Sequence, residues 1–385
     1  MMRSLTLGRI RGIDVKVHPT FGLVALWIVY NWGIVEGGGL ASIAYGTVLL
    51  ACVFGFVLLH EFGHSFMAQH YGIRVHDITL VPFGGIARLE QLPSRPRSEA
   101  LIAIAGPAIN VAIAVAMLPL LLVLGIVRGF DSAGDYLADL DRIAPAGLLV
   151  YLFLTNIMIV LFNLLPAFPM DGGRLVRAGL SVFVGREQAT RIAVGLGVVA
   201  AVAIAGVGLW WQDFVLPLIA VFVVVAAYGE SRIVRLEEAM RRLRVGQFAV
   251  WDRGGVTAGD PLTFALGGGP RDVAVTDGGL VVGMVWRNDL LQILNGGAGN
   301  RTVADVMDHH VITADVDDTV YDVQQLMQQS HRWAVPVTED GQYRGIFTAD
   351  RFIHVYRYLN AQSPERRRIG ELTGAVSGLF RAPGR

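Results

Sequence analysis

The sequence predicts a polytopic α-helical membrane protein that continues into a water-soluble α+β module. Of its 385 residues, 53% are hydrophobic and the mean hydropathy is +0.51, which is more apolar than ordinary soluble proteins. The apolar excess fills residues 18–229, after a short N-terminal segment of residues 1–17, whereas residues 230–385 have the composition of a soluble domain. The formal net charge is zero, so the chain is not expected to bind nucleic acid.

Six stretches in residues 18–229 are candidate membrane spans, because a span needs about 20 predominantly apolar residues. They are residues 19–35, 42–69, 100–126, 145–168, 192–210 and 214–228. Lys and Arg are concentrated in alternate connecting segments, namely 1–18, 70–99 and 169–191. The positive-inside rule therefore predicts a multi-pass protein of the cell membrane with both termini in the cytoplasm.

The second of these stretches carries three ionisable residues, His60, Glu61 and His64, directly after an uncharged run. A charged group within a span costs at least about 2.5–3.5 kcal/mol on insertion scales, so such residues are usually functional. Residues i and i+4 share one face of a helix, and both imidazoles can therefore bind one ion. Glu61 lies about 100° around the helix, close enough to reach a water on that ion. The H-E-x-x-H spacing predicts a zinc site with Glu61 as general base.

A third protein ligand is expected, because catalytic zinc usually has three protein ligands and one open position. Asp171 is the candidate, since it lies three residues before Arg174 and meets the same membrane interface as the segment after His64. Pro166 and Pro169 prevent a continuous helix there, and irregular backbone at membrane depth is tolerated where it lines a polar cavity. The alternative is that Asp171 only caps a helix at the interface.

These motifs resemble those of the site-2 protease family of intramembrane zinc metalloproteases. "HEFGH" (60–64) and "NLLPAFPMDGG" (163–173) resemble the H-E-x-x-H and N-x-x-P-x-x-P-L-D-G motifs of that family, with Met170 in place of the usual Leu. "AGPAIN" (105–110) resembles its G-P-x-x-N motif, and "VPFGGIARL" (81–89) resembles its Gly-Gly hairpin between the second and third spans. The resemblance covers about residues 18–229.

The resemblance implies a role for each of these motifs. It implies one zinc ion held by His60, His64 and Asp171, with Glu61 as general base. It also implies that Asn110 and Asn163 support the substrate or the oxyanion; interhelical hydrogen bonding is the alternative for both. Gly84 and Gly85 would lie in a re-entrant hairpin that offers an edge to an extended substrate, or in a simple turn.

The C-terminal region contains an internal repeat. "VAVTDGGLVVGMV" (273–285) and "VPVTEDGQYRGIF" (335–347) align without a gap, and each reads as a strand, an acidic-Gly turn and a second strand. The repeat resembles a tandem pair of cystathionine-β-synthase (CBS) domains over residues 245–358. That resemblance implies self-association, and it suggests an adenosine nucleotide as a ligand.

The nucleotide prediction is weakened by departures from the usual G-[IV]-x-T-x-x-D pattern. In the first copy Asp289 is in place, but Trp286 replaces the Thr. In the second copy Thr348 is present, but Arg351 occupies the Asp position and Asp350 lies one residue early. A structural dimerisation role for the pair is therefore the preferred expectation, with a nucleotide site at Thr348, Asp350 and Asp289 as the other possibility.

The sequence thus predicts an intramembrane zinc endopeptidase that cleaves membrane-anchored proteins near the cytoplasmic side. An amphipathic linker helix (230–244) joins the membrane domain to the CBS pair, and a flexible tail (359–385) follows. The expected partners are transmembrane protein substrates, the lipid bilayer and a second copy of the chain. The alternatives are a CBS-gated membrane transport protein for metals or other ions, and an inactive scaffold. Glu61 favours the protease, since a transporter needs no base beside its metal ligand.

Overall fold

A computed structural model gives the fold of the chain in two compact units, Met1–Val234 and Arg235–Arg385, which are described separately. It describes residues 4–35, 39–82, 84–90, 93, 95–130, 132–138, 144–252, 254–266, 271–295 and 301–361. Most of the predicted tail, beyond residue 361, lies outside the described residues.

The first unit contains four strands and eight helices among the described residues. In chain order they are β1 (Leu5–Ile10), β2 (Ile13–Val17), α1 (Gly22–Ile28), α2 (Gly39–His70), β3 (Val75–Val81), β4 (Gly84–Leu89), α3 (Pro96–Arg128), α4 (Ala133–Ala138), α5 (Pro145–Asn163), α6 (Asp171–Val184), α7 (Arg186–Trp210) and α8 (Val215–Arg241). The last turns of α8, from Arg235 on, belong to the second unit.

Five of these helices, α2, α3, α5, α7 and α8, are long and apolar enough to cross a membrane. The first predicted span is not among them, because it is a shorter apolar helical stretch, Pro19–Val35. That stretch consists of a 3-10 turn (Pro19–Phe21), α1 and a π-helical segment (Val29–Val35). The fourth predicted span ends earlier than residue 168, since α5 stops at Asn163 before the proline-containing loop. Five of the six predicted spans therefore correspond to full-length helices.

A four-stranded sheet, which the sequence analysis missed, joins the N-terminal segment to the predicted Gly-Gly hairpin. Its order is β1-β2-β3-β4, with β2 parallel to β3 and the other pairs antiparallel. Ile13, Val15 and Ile78 are buried against Phe62 and Ala68 of α2. The sheet therefore packs on the part of α2 that contains the H-E-x-x-H motif.

The predicted linker helix (230–244) is not a separate element. α8 runs without interruption to Arg241, because no Gly-Pro or turn sequence separates the sixth apolar stretch from the amphipathic segment. In the second unit Met240 is buried in the core with Val245 and Val320. The end of α8 therefore contributes directly to that core.

The second unit contains the two predicted hairpins. Its elements are β5 (Val250–Trp251), β6 (Val273–Asp277), β7 (Leu280–Val285), α9 (Arg287–Asn295), β8 (Ala314–Asp315), α10 (Val320–Ser330), β9 (Ala334–Glu339), β10 (Gln342–Thr348) and α11 (Arg351–Ala361). β6 pairs with β7, and a second sheet has the order β5-β10-β9-β8.

Both hairpins have two-residue loops in which each central residue has positive φ, as tight antiparallel turns require. These residues are Gly278 and Gly279 in one hairpin, and Asp340 and Gly341 in the other. The repeat seen in the sequence is therefore a repeat of the structure.

Candidate metal centre

Two histidines of α2 direct their rings toward a common point inside the first unit, Met1–Val234, which is called the membrane unit below. His60 and His64 are 4% and 7% exposed, and their Nε2 atoms lie 3.0 Å apart. The helical spacing of four residues brings the two rings to one face, as the sequence predicts.

Asp171 joins them from a distant part of the chain. Its Oδ2 atom lies 3.1 Å from His60 Nε2 and 3.0 Å from His64 Nε2. Asp171 is the first residue of α6, and the proline-containing loop before it folds tightly against the helix. A Cβ at Gly172 would overlap the carbonyl groups of Leu164 and Leu165, so the double glycine lets the loop deliver Asp171 to this position.

A chain of amides fixes the tautomer of His60. Asn156 Nδ2 donates to the backbone carbonyl of Asn110 at 2.6 Å, so Asn156 Oδ1 must accept from Asn110 Nδ2, at 2.7 Å. The remaining Asn110 Oδ1 then faces His60 Nδ1 at 2.9 Å and can only accept. His60 therefore donates from Nδ1, and its neutral ring presents a lone pair on Nε2.

His64 is held in the same way by a backbone carbonyl. Its Nδ1 lies 2.7 Å from the carbonyl oxygen of Ile102, which can only accept, so Nδ1 donates and Nε2 again carries a lone pair. Such a bond to the far nitrogen is the usual support of a metal-binding histidine.

The three atoms at the centre are therefore two nitrogen lone pairs and a carboxylate oxygen, all 3.0–3.1 Å apart. With both imidazoles neutral, none of the three groups has a proton to share, and all three direct lone pairs at one spot, as the ligands of a bound cation do. Zinc bonds of about 2.0–2.1 Å in tetrahedral geometry place neighbouring ligand atoms about 3.3 Å apart. His60, His64 and Asp171 form the three-residue group of the described chain that could hold a metal ion, and they fit zinc.

Glycines let three elements approach the centre closely. A Cβ at Gly106 of α3 would overlap His64 Nε2, and one at Gly85 of β4 would overlap the Glu61 side chain. A Cβ at Gly63 would lie 2.6 Å from the carbonyl oxygen of Ala105. The glycines of the predicted G-P-x-x-N and Gly-Gly motifs are thus needed because a side chain at Gly106 or Gly85 would overlap His64 or Glu61. Glu61 is half-buried and lies between α2 and the edge strand β4.

The two predicted asparagines have different positions. Asn110 supports His60, and the interhelical hydrogen bond expected as its alternative is the one observed. Asn163 Nδ2 donates to the carbonyl oxygen of Ile159 in its own helix, at 3.0 Å. Asn156, which the sequence analysis missed, is fully buried and bonds to Asn110. Its only sequence signal is an amide in an otherwise apolar helix.

A cavity of about 1600 Å³ adjoins β4. Apolar residues of α1 and α2 line one side, including Leu23, Trp27 and Phe54, and Arg174 of α6 also lines it. At the sheet, Asp77 accepts hydrogen bonds from Lys16, at 2.8 Å, and from Arg88. Burial acts to raise the pKa of Asp77, but these two cations outweigh it and hold the pKa below its ordinary value.

The predicted nucleotide residues of the second unit lie at element ends. Thr348 ends β10, Asp350 immediately precedes α11, and Asp289 is in the first turn of α9. The structure gives no further support to a nucleotide site.

Trp286, which stands where the usual pattern has Thr, is engaged within the chain. Its indole N–H donates to Asp308 Oδ2 at 3.0 Å, and the guanidinium of Arg332 lies 4.5 Å from its ring. Asp308 also accepts from the His310 N–H and pairs with Arg332. These interactions, that of His310 first, hold the pKa of Asp308 below its ordinary value.

Comparison with known proteins identifies both parts of the chain. The profile of Peptidase family M50 matches residues 48–144 and 125–205, and that of the CBS domain matches residues 303–358. The chain is 30% identical to zinc metalloprotease MJ0392 of Methanocaldococcus jannaschii over 357 residues, 90% of this chain and 94% of that protein. It is 30% identical to Rip3 of Mycobacterium tuberculosis over 271 residues, which are 64% and 63% of the two chains.

Among solved structures, the site-2 protease of Methanocaldococcus jannaschii is similar to the chain. It has 34% sequence identity and a TM-score of 0.43, over 60% of this chain and 95% of that one. The profile match and the identity to MJ0392 confirm the resemblance that was predicted from the motifs. The chain belongs to Peptidase family M50, as a membrane zinc metalloprotease that carries a C-terminal CBS domain.

Proposed function

We propose that the chain cleaves membrane-anchored proteins within or near the bilayer, from the cytoplasmic side, in regulated intramembrane proteolysis. The observation that carries this proposal is the buried set of two lone pairs and a carboxylate beside Glu61. We assign one zinc ion per chain to His60, His64 and Asp171. When bound, zinc supplies a Lewis acid that polarises the scissile carbonyl and acidifies water.

The protein groups around this site divide the remaining work. Glu61 takes the proton of the attacking water and later delivers it to the leaving amine, as a general base and then a general acid. Asn110 and Ile102 hold the two imidazoles in the tautomers that the site needs. Asn163 donates one of its two amide hydrogens to the carbonyl oxygen of Ile159, which leaves the second one for an oxyanion.

The substrate is proposed to bind as an extended strand along β4. β4 is an edge strand of the sheet, and Gly85 places that strand against Glu61. An unpaired strand edge binds extended peptides through main-chain hydrogen bonds, whereas a helical substrate hides its amides from attack. The cavity beside β4 has apolar walls, which suit a segment that has left the bilayer and unwound.

The proposed orientation in the membrane has both termini on the cytoplasmic side. Alternation of Lys and Arg supports cytoplasmic termini and a cytoplasmic CBS module. Arg177 must be left out of this count, because it is buried and paired with two Glu residues. Arg174, Arg186 and Arg191 remain as cations of the same segment, so the alternation holds.

For the second unit we propose self-association through the CBS repeats, with control of the protease as its purpose. The repeated hairpins support a paired CBS module. Adenosine nucleotide binding is the less favoured proposal, because Trp286 is already bonded to Asp308. A chain truncated after Arg244 is expected to keep its zinc but to lose dimer in detergent, as measured by light scattering.

The enzymatic proposal is tested with purified protein in detergent and a labelled unstructured polypeptide, which needs no unwinding. The wild type should generate new N-termini, and Glu61→Gln should cut at least about 10²–10⁴-fold more slowly. Glu187→Gln, at a half-buried position of α7, is the matched control and should cut normally. Equal cleavage by wild type and Glu61→Gln would contradict the proposal. Zinc uptake into vesicles without any cleavage would favour the transport alternative.

A further inference from the structure

Arg177 is a buried cation that the chemistry proposed above does not use. It lies on α6, six residues after Asp171, and is 2% exposed. Its Nε donates to Glu99 Oε1 of α3 at 2.6 Å, and another guanidinium nitrogen donates to Glu230 Oε1 of α8 at 2.8 Å. One side chain therefore joins three helices of the membrane unit.

Arg177 also contacts the loop that precedes Asp171. Its guanidinium lies 4.9 Å from the centre of the Phe168 ring, which is fully buried. A Cβ at Gly173 would lie 2.7 Å from Phe168 N and from the carbonyl carbon of Ala167, so loop and helix are already in tight contact there. Arg177, which follows Asp171 on α6, thus contacts the loop that precedes Asp171.

Helix α3, which carries Glu99, also orients the other two ligands, His60 and His64 of α2. The Ile102 carbonyl and Asn110, both on α3, orient His64 and His60, and Glu99 lies one turn before Ile102. The Glu99–Arg177 pair consequently ties the helix that orients both histidines to the helix that carries Asp171. Because a helix is stiff over six residues, about 9 Å, fixing Arg177 fixes the start of α6.

We propose that Arg177 is a positioning residue for the metal centre: its bonds to Glu99 and Glu230 hold Asp171 at bonding distance from His60 and His64. The proposal rests on these three residues being the metal ligands. A planar guanidinium can bond two carboxylates at once, which a Lys ammonium does with less geometric control. The second carboxylate, Glu230, connects α8 to Arg177 as well.

The test uses Co²⁺, whose visible spectrum reports its ligand geometry, bound to the full-length protein in detergent. Affinity is measured by competition with a chelator, and thermal unfolding of the metal-free proteins is followed by circular dichroism. Arg177→Gln should weaken Co²⁺ binding by about tenfold or more and alter the spectrum. Arg177→Lys should recover part of the affinity. The matched control is Arg191→Gln, because Arg191 is an exposed member of an i,i+4 pair, and it should bind as wild type does.

Glu230→Gln removes the charge of one of the two carboxylates that pair with Arg177. It decides the outcome if Arg177→Gln does not fold. It should weaken Co²⁺ binding by a smaller factor, about threefold, at an unchanged melting temperature of the metal-free protein. Wild-type affinity and spectrum in folded Arg177 and Glu230 variants would overturn the proposal and leave the metal site intact. Failure of the wild type to bind Co²⁺ would overturn the metal site, and this proposal with it.

Discussion

Two clusters of three ionisable side chains in the described part of the membrane unit, one around Arg177 and one around Asp171, differ in one respect. The Arg177 cluster, formed with Glu99 and Glu230, includes its own cation, and that cation donates to both carboxylates. The metal cluster, His60, His64 and Asp171, contains only acceptors directed at one another.

The difference separates a structural cluster from a functional one. A buried charge is tolerated when it is paired and hydrogen-bonded, and the Arg177 cluster meets that condition without help. With neutral rings, the metal cluster meets it when a cation is bound, because Asn110 and Ile102 accept the two ring protons. Counting protons and acceptors around a buried group therefore distinguishes the two cases, whereas burial alone does not.

Metal removal should have the largest effect on stability, because the metal cluster is then left without its cation. At a free zinc concentration of 1,000 times Kd, binding stabilises the folded protein by about 4 kcal/mol. Chelation should lower the melting temperature of the wild type accordingly. The melting temperature of Asp171→Ala should not respond to chelator, and an equal response in both proteins would contradict the comparison.

Gly106→Ala should disrupt the metal cluster without changing any ligand. The added Cβ would overlap His64 Nε2 and lie 2.7 Å from His60 Nε2, so the rings must move out of position. We expect zinc affinity to fall by on the order of 100-fold, measured by chelator competition. Gly195→Ala is the control, because a Cβ there meets nothing within 4 Å. Equal zinc affinity in the two variants would show that the close approach is unimportant.

Asn156→Leu should weaken zinc binding by about tenfold, because Asn110 then loses the partner that fixes the orientation of its amide. Asn163→Leu removes only a bond to the carbonyl of Ile159 and should leave zinc affinity unchanged. Isothermal titration of both variants compares the two buried amides directly. The reverse order of effects would restore Asn163 to the centre and remove Asn156 from it.

The smallest effect is expected at Asp77, whose cluster with Lys16 and Arg88 is paired like that of Arg177 but lies at the sheet. Loss of these charged hydrogen bonds in Asp77→Asn should cost about 1–2 kcal/mol at pH 6. The folded-state pKa lies below the ordinary 3.8, so this stabilisation is complete above 3.8 and is lost as the pH falls through the folded value. Denaturant titrations should therefore show the difference between variant and wild type shrinking below pH 3.8. A difference that is constant with pH would exclude the charge as its cause.

Local patterns in the sequence predict the parts of the site that lie on one helix. The i,i+4 spacing is enough to place His60 and His64 together and Glu61 beside them. Asp171 is 107 residues from His64, and only its interface position and the family motif indicated it. Local spacing cannot specify such a contact, because it depends on how the whole chain packs.

Other contacts left no usable signal in the sequence. Asn156 is one amide in an apolar helix, and Arg177 looked like a loop cation because its two partners are 78 and 53 residues away. The N-terminal sheet was missed because its central pair, β2 with β3, is parallel and joins segments about 60 residues apart. The repeated hairpins of the second unit were predictable, since their pairing is local and their turns need Gly or Asp at defined positions.

The central claim, that zinc is the missing cation of the metal cluster, is tested most directly by the zinc content of three purified proteins. Elemental analysis should give one zinc per chain in the wild type and in Glu61→Gln, because Glu61 moves protons and is not a ligand. Asp171→Ala should contain none. Loss of zinc from Glu61→Gln together with full zinc in Asp171→Ala would contradict the account.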